Sequence, residues 1–150
     1  MPTILVRLPE GVLDAASKGQ LVRLLNTAAV QAEQIADHPR SRAMCWVLLD
    51  EVKPGNWTCG GVDASAALIP VMLQTWLPAG VLDAPARARY AETVQAALAS
   101  VLRDERRQLM LSSVVIEVPE GQWAINGRPW ALADFARHAG YAHLQHLVPA

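Results

Sequence analysis

The chain has 150 residues, of which 52% are apolar and 18% charged, and its formal net charge is −1. That length suits one domain with a real core, the apolar share excludes a largely disordered chain, and the charge balance argues against a general nucleic-acid binder. No apolar run approaches the ~18 residues needed to span a bilayer, and the N-terminus lacks the basic and apolar regions of a secretory signal, so a cytoplasmic protein away from membranes is expected.

In chain order, Pro2 stands at the head of an extended run, Thr3 to Leu8, rich in β-branched and aliphatic residues. A Pro-x-Gly turn follows, and Asp14 stands where a helix N-cap belongs, its carboxylate free to accept from first-turn N–H groups. Leu21, Leu24, Leu25, Ala28, Ala32 and Ile35 then recur at helical spacing. After Asp37 to Arg42 comes a second extended run, Met44 to Leu49, then "EVKPGNWTCGG" from Glu51. The series repeats. Leu68 to Leu77 reads as a strand, Asp83 as an N-cap with Pro85 in the first turn, and Tyr90, Val94, Ala97, Leu98, Val101 and Leu102 as a helix stripe. Leu109 to Ile116 reads as a strand, and "EVPEGQWAING" closes on a hairpin-type turn before Arg128. In the tail, Leu132, Phe135, Ala136 and Ala139 share helical spacing.

The repetition extends to the letters. "LPEGVLDA" at Leu8 returns as "LPAGVLDA" at Leu77, an offset of 69, and Glu-Val-x-x-Gly-x-Trp at Glu51 returns at Glu117, an offset of 66. The three-residue difference fits an insertion in the first copy, around Asp37 to Arg42. The chain is thus expected to be a single domain, 1–150, made of two units, about 2–64 and 67–128, with a tail, 129–150. Each unit reads strand, helix, strand: a βαβ unit with parallel strands and a right-handed crossover. The fold class expected is α/β (α+β), with two tandem βαβ units forming a four-stranded mixed sheet, two helices on one face and a C-terminal helical tail. Runs such as "MCWVLLD" and "VVIEV" are apolar on both faces and want both faces covered. Two helices cover one, so an oligomer with sheets packed on sheets is expected.

On Pro2 heading a strand, the βαβ repeat and the Glu-Val-x-x-Gly-x-Trp signature, the sequence resembles the tautomerase superfamily over roughly Pro2 to Gly127. Each unit looks like one short subunit of 4-oxalocrotonate tautomerase. The tandem arrangement looks like the cis-3-chloroacrylic acid dehalogenase and malonate semialdehyde decarboxylase branches. The resemblance implies a homotrimer, no cofactor and no metal, and a small-molecule substrate. It implies that Pro2, freed by removal of Met1, is the catalytic group. An α-amine titrates near 7.7–8.0 and is easily brought towards neutrality, where a general base works best. It can take a proton from carbon beside a carbonyl and return it elsewhere. In the second unit the corresponding residue is Val71, which has no free amine, so one site per chain is implied.

The resemblance also implies arginine clamps for a carboxylate substrate, and the chain departs from it there. The positions fall on Val12, Val81, Trp46, Ser112 and near Pro78. Arg7, Arg40, Arg42 and Arg128 are the available substitutes, each equally readable as a surface arginine; Arg42 and Arg128 are carried forward. The aromatic wall of the family pocket matches Trp57 and Trp123, and with Trp46 and Trp76 the pocket could be unusually apolar; core or interface packing is the competing reading. Glu117 stands where the dehalogenases activate water, yet as half of a repeated pair with Glu51 it also reads as structural.

His143 and His146 are three apart in the tail, but no carboxylate or cysteine completes a metal set. Cys45 and Cys59 read as packed thiols. Three functions stay open. The first is Pro2-dependent keto–enol isomerisation of a small 2-oxo or enol substrate, the second a cofactor-independent dehalogenase or decarboxylase. The third is a catalytically silent oligomeric ligand-binding protein.

Overall fold

The computed structural model describes residues 2–103 and 105–149. The first unit runs β1 (Thr3–Pro9), α1 (Ala15–Ala32), a short α2 (Pro39–Arg42) and β2 (Trp46–Val52), followed by a small hairpin, β3 (Thr58–Cys59) and β4 (Val62–Asp63). The second runs β5 (Leu68–Pro78), α3 (Ala84–Val101) and β6 (Gln108–Val118), followed by its own hairpin, β7 (Ala124–Ile125) and β8 (Arg128–Pro129). The tail supplies α4 (Leu132–Ala139) and a 3₁₀ turn, Ala142–Leu147.

The four long strands form one mixed sheet in the order β2-β1-β5-β6. β1 and β2 are parallel, β5 and β6 are parallel, and the two units meet where β1 pairs antiparallel with β5. The expected architecture is the observed one. Both N-caps form as the sequence predicts: Asp14 accepts from the Ser17 N–H and Asp83 from the Ala86 N–H, each at 2.7 Å. These bonds hold the Asp14 carboxyl below the usual carboxylate range.

Alternation decides which strand faces are buried. Ile4, Val6 and Leu8 of β1 and Ile69, Val71 and Leu73 of β5 point at the helices and are buried with Leu21, Leu25 and Ala28 of α1 and Tyr90, Val94 and Leu98 of α3. Leu24 packs at the rim of this core, and Ile35 lies past the end of α1 in a second cluster. Among the described residues, neither long helix packs on the other sheet face. Its rows run Trp46–Thr3–Trp76–Ile116, then Leu48–Leu5–Gln74–Val114, then Asp50–Arg7–Met72–Ser112. Trp46, Leu48, Met72 and Val114 are among the exposed large apolar residues.

The structure adjusts four local readings. The second strand begins at Trp46, not Met44, because Met44 and Cys45 donate back to the Ser41 and Arg42 carbonyls and finish the preceding turn. The insertion region is ordered as α2. The first unit has a hairpin too: Gly60 and Gly61 take φ of 62° and 81°, as Asn126 and Gly127 take 51° and 78° one repeat later, the left-handed pair that a two-residue hairpin turn needs. Cys59 lies on that hairpin and is exposed, so only Cys45 is a packed thiol.

The tail docks on the end of the domain. Phe135, Ala136, Ala139, Tyr141 and Leu144 bury against Val30, Ile35, Leu77, Val81 and Leu82. Backbone bonds pin it, from Ala36 N–H to the Ala139 carbonyl and from Ala142 N–H to the Gln34 carbonyl. Glu120 accepts from the Leu132 N–H at 3.1 Å and Asp134 from the Ala131 N–H at 3.0 Å, which satisfies the start of α4.

Candidate functional site

Pro2 directly precedes β1 and is buried. Its carbonyl accepts from the Trp46 N–H at 3.0 Å, extending the β1–β2 ladder by one step. Met1 lies outside the described residues. Thr3 pairs with Trp46 on one side and Trp76 on the other, and paired residues point to the same face. A tryptophan therefore flanks each side of the first strand residue after Pro2. Beside them opens a cleft of about 310 Å³ lined by Thr3, Trp76, Val118, Gln122 and Trp123, at the lower end of the size range of small-molecule sites.

Trp123 reaches this cleft because of the antiparallel β1–β5 pairing. That pairing sets the end of the second unit, Trp76 onward, beside the head of the first. The same operation sends Trp57 to the opposite end of the sheet, into a smaller recess of about 130 Å³ with Pro9, Pro70, Lys53 and Arg107. Of the two signature tryptophans, Trp123 shares a cleft with Thr3, whereas Trp57 lines the recess at the other end of the sheet. Trp123 also packs on the tail, its ring centroid 5.6 Å from that of Phe135. It is at once a cleft wall and a partly buried support of the tail's cluster. Trp46 is 59% exposed on the open sheet face.

The guanidinium groups of Arg7, Arg42 and Arg128 are engaged elsewhere. Arg7 pairs with Asp50 at 3.0 Å and lies five residues along β1 from Pro2, about 17 Å at strand rise. The N–H of Arg40 donates to His38 in the cap of α2. Arg128 sits on β8 and binds Asp134 at 3.1 Å, its side chain 73% exposed. Arg42 is nearest in the chain to the Pro2 contact, but Asp37 at 2.6 Å and Asn26 at 3.2 Å hold its guanidinium. None of the four lines the cleft beside Thr3.

Glu117 accepts from the Gly80 N–H at 3.3 Å and lies 3.5 Å from Arg87. Glu51 does the same one repeat earlier, with Gly11 at 3.2 Å and Lys18 at 2.7 Å. The Lys18 bond, then the Gly11 N–H, hold the Glu51 carboxyl below its ordinary range. Both glutamates clamp the turn that launches the following helix, which agrees with their structural reading.

The sequence reading missed a buried polar cluster on the helix side of the sheet. Glu33, the C-cap of α1, is 1% exposed. Burial pushes its carboxyl upward, while the Tyr141 hydroxyl and His143 favour the ionised form. Burial likewise pushes the Cys45 thiol up to about 12, with the nearby Glu33 charge acting in the same direction. The hydroxyls of Tyr90 and Thr75 hydrogen-bond at 2.9 Å, and His143 Nε2 donates to the Val81 carbonyl at 2.9 Å. One signal was present: Glu33 lies four residues after Ala29 on the apolar stripe of α1, a charged residue where the period asks for an apolar one. Among the described residues, no group of three or more His, Cys, Asp or Glu side chains could hold a metal ion.

Two strand-helix-strand units fused in one chain, with a proline heading the first strand, define a tautomerase-like fold, and the solved structures it resembles are of that kind. A fused 4-OT described as a wild-type asymmetric trimer matches with a TM-score of 0.67 and 23% identity, over 85% of this chain and 94% of that one. Pt0534 inactivated by 2-oxo-3-pentynoate matches with a TM-score of 0.65 and 19% identity, over 88% and 98%. N1, a member of the cis-3-chloroacrylic acid dehalogenase family, matches with a TM-score of 0.66 and 18% identity, over 85% and 82%. At these identities the likeness is one of fold. No protein-family model matches the chain, and no curated protein matches it. No helix among the described residues is long and apolar enough to cross a membrane.

Proposed function

We propose that this protein is a cofactor-independent tautomerase-like enzyme, in which the Pro2 amine, freed by removal of Met1, moves a proton within a small 2-oxo or enol substrate. The observation that carries the reading is the position of Pro2 at the head of β1, directly before Thr3 in the aromatic cleft with Trp76 and Trp123. The amine would take a proton from the carbon beside the carbonyl, leaving an enol or enolate, and return it at the far end of the conjugated system. Trp76 and Trp123 would hold the planar substrate by its face. Assembly as a homotrimer, a state suggested by the fused 4-OT neighbour described as an asymmetric trimer, would cover the open sheet face and its exposed Leu48, Met72 and Val114.

A second reading is a silent ligand-binding protein, favoured by the absence of any cationic side chain among the residues lining that cleft. The dehalogenase alternative loses support because its water-activating candidate, Glu117, is bonded to the Gly80 N–H and faces Arg87. The deciding experiment combines intact mass, turnover of an arylpyruvate keto–enol probe, and Pro2→Ala. Loss of Met1 with Pro2-dependent turnover supports the enzyme. Probe binding without turnover supports the silent protein, and turnover that survives Pro2→Ala rejects the proline mechanism.

A further inference from the structure

We propose that the cleft beside Thr3 takes an uncharged planar ketone (an aryl ketone, or the amide or ester of a 2-oxo acid) in preference to a free 2-oxo carboxylate. The proposal deepens the reading above and rests on it for the location of the site, but it concerns binding and not turnover.

The walls of the cleft are apolar and flat. Trp76 pairs with Thr3 across the β1–β5 ladder, and Trp123 and Val118 come from the segment that ends β6. Broad indole faces suit a flat conjugated ligand. An indole face also carries the negative side of the ring quadrupole. It therefore repels a carboxylate laid over it and accepts a neutral ring or carbonyl.

The polar groups of the lining residues are all uncharged: the Thr3 hydroxyl, the Gln122 amide and the two indole N–H groups. Among the described residues none of them makes a side-chain hydrogen bond, so each is available to a ligand. Together they supply donors for a carbonyl oxygen and acceptors for an amide N–H or an enol O–H, but no full positive charge. Arginines on the surrounding elements are already matched: Arg42 by Asp37, Arg128 by Asp134 and Arg87 by Glu117. Glu120 lines the adjoining crevice, which shares Val118 and Trp123 with the cleft, and its carboxylate is held by the Leu132 N–H rather than by a cation. The nearby field therefore adds to the bias against an anion.

A carboxylate entering this cleft gives up water without gaining a counter-charge, which is costly. An amide of the same shape loses less and can pair both its N–H and its carbonyl. Charge alone then separates two ligands that match in size and in the ketone they carry.

Titration calorimetry of the full chain near neutral pH compares phenylpyruvate with phenylpyruvamide, which differ in a carboxylate oxygen against an amide nitrogen. The amide is expected to bind on the order of tenfold tighter or more. Gln122 is exposed, and Gln122→Arg sets a guanidinium beside the cleft. That variant should tighten the acid by about tenfold and leave the amide little changed. Trp123→Ala should weaken the amide, which locates the ligand. An acid bound as tightly as the amide, binding of neither, no gain for the acid in Gln122→Arg, or amide affinity untouched by Trp123→Ala overturns the proposal. The acid–amide comparison needs no variant, so it decides even where a variant fails to fold. Amide preference without Pro2-dependent turnover rejects the enzyme reading and leaves this one standing; Pro2-dependent turnover with the acid preferred does the reverse.

Discussion

The Glu117 carboxylate accepts the Gly80 N–H at 3.3 Å, and one repeat earlier Glu51 accepts the Gly11 N–H at 3.2 Å. Each glutamate also faces a cation from the helix that the turn launches, Arg87 and Lys18. A contact made twice, once at each end of the sheet, belongs to the scaffold. Glu117→Gln is expected to lower the melting temperature by a few degrees at most, since exposed pairs contribute little. Keto–enol turnover should be retained; its loss would return Glu117 to the list of catalytic groups.

Glu51 gives a pH-dependent version of this prediction. Its folded-state carboxyl is held below the ordinary range, chiefly by Lys18. A depressed carboxyl contributes stability that is fully present above the unfolded value, ~4.3, and is lost as pH falls through the lower folded value. The gap in urea midpoint between the unmodified protein and Glu51→Gln should therefore be constant near neutrality and close below about pH 4. A gap that widens on acidification would contradict the assignment.

Gly140 joins α4 to the 3₁₀ turn at φ +68°, and a Cβ added there would lie 2.9 Å from the Ala36 Cβ. Gly140→Ala is expected to destabilise the protein by about 1–3 kcal/mol, and hydrogen exchange should show the loss first in the tail. Exchange that quickens evenly across the sheet instead would place the strain elsewhere.

Thr75 and Tyr90 share one buried hydrogen bond at 2.9 Å. Tyr90→Phe leaves the Thr75 hydroxyl buried without that partner, at a cost of about 1–3 kcal/mol. Adding Thr75→Val should recover part of it, because both polar ends are then gone. Additive losses in urea denaturation would mean that the bond contributes nothing.

The open sheet face predicts assembly. Met72→Lys places a charge in the middle of the row Asp50–Arg7–Met72–Ser112. Sedimentation should show the unmodified chain as an oligomer, with a trimer expected, and the variant as a smaller species. A monomeric unmodified chain would rule out this face as an interface.

Trp123 is expected to matter for both binding and stability. Trp123→Ala removes a wall of the cleft beside Thr3 and the ring packed 5.6 Å from Phe135. Trp57→Ala, at the far end of the sheet, should leave probe binding unchanged. Equal losses of probe affinity in the two variants would contradict the placement of the site.

The sequence by itself determined the two units, their helix caps and strand alternation, and that the repeat puts Val71 where the first unit has Pro2. These features are local: a cap needs one aspartate and the next turn, a strand face needs a period of two, and a repeat needs only its own letters. Tertiary structure alone decided which residues meet Pro2. The antiparallel β1–β5 pairing crosses the units, and that choice is made by packing between residues some seventy positions apart. It delivers Trp123 to the head of β1 and sends Trp57 away, while the parallel β1–β2 register sets Arg7 opposite Asp50. Glu33 and Tyr141 lie on separate elements, and only the docking of the tail makes them one buried pair.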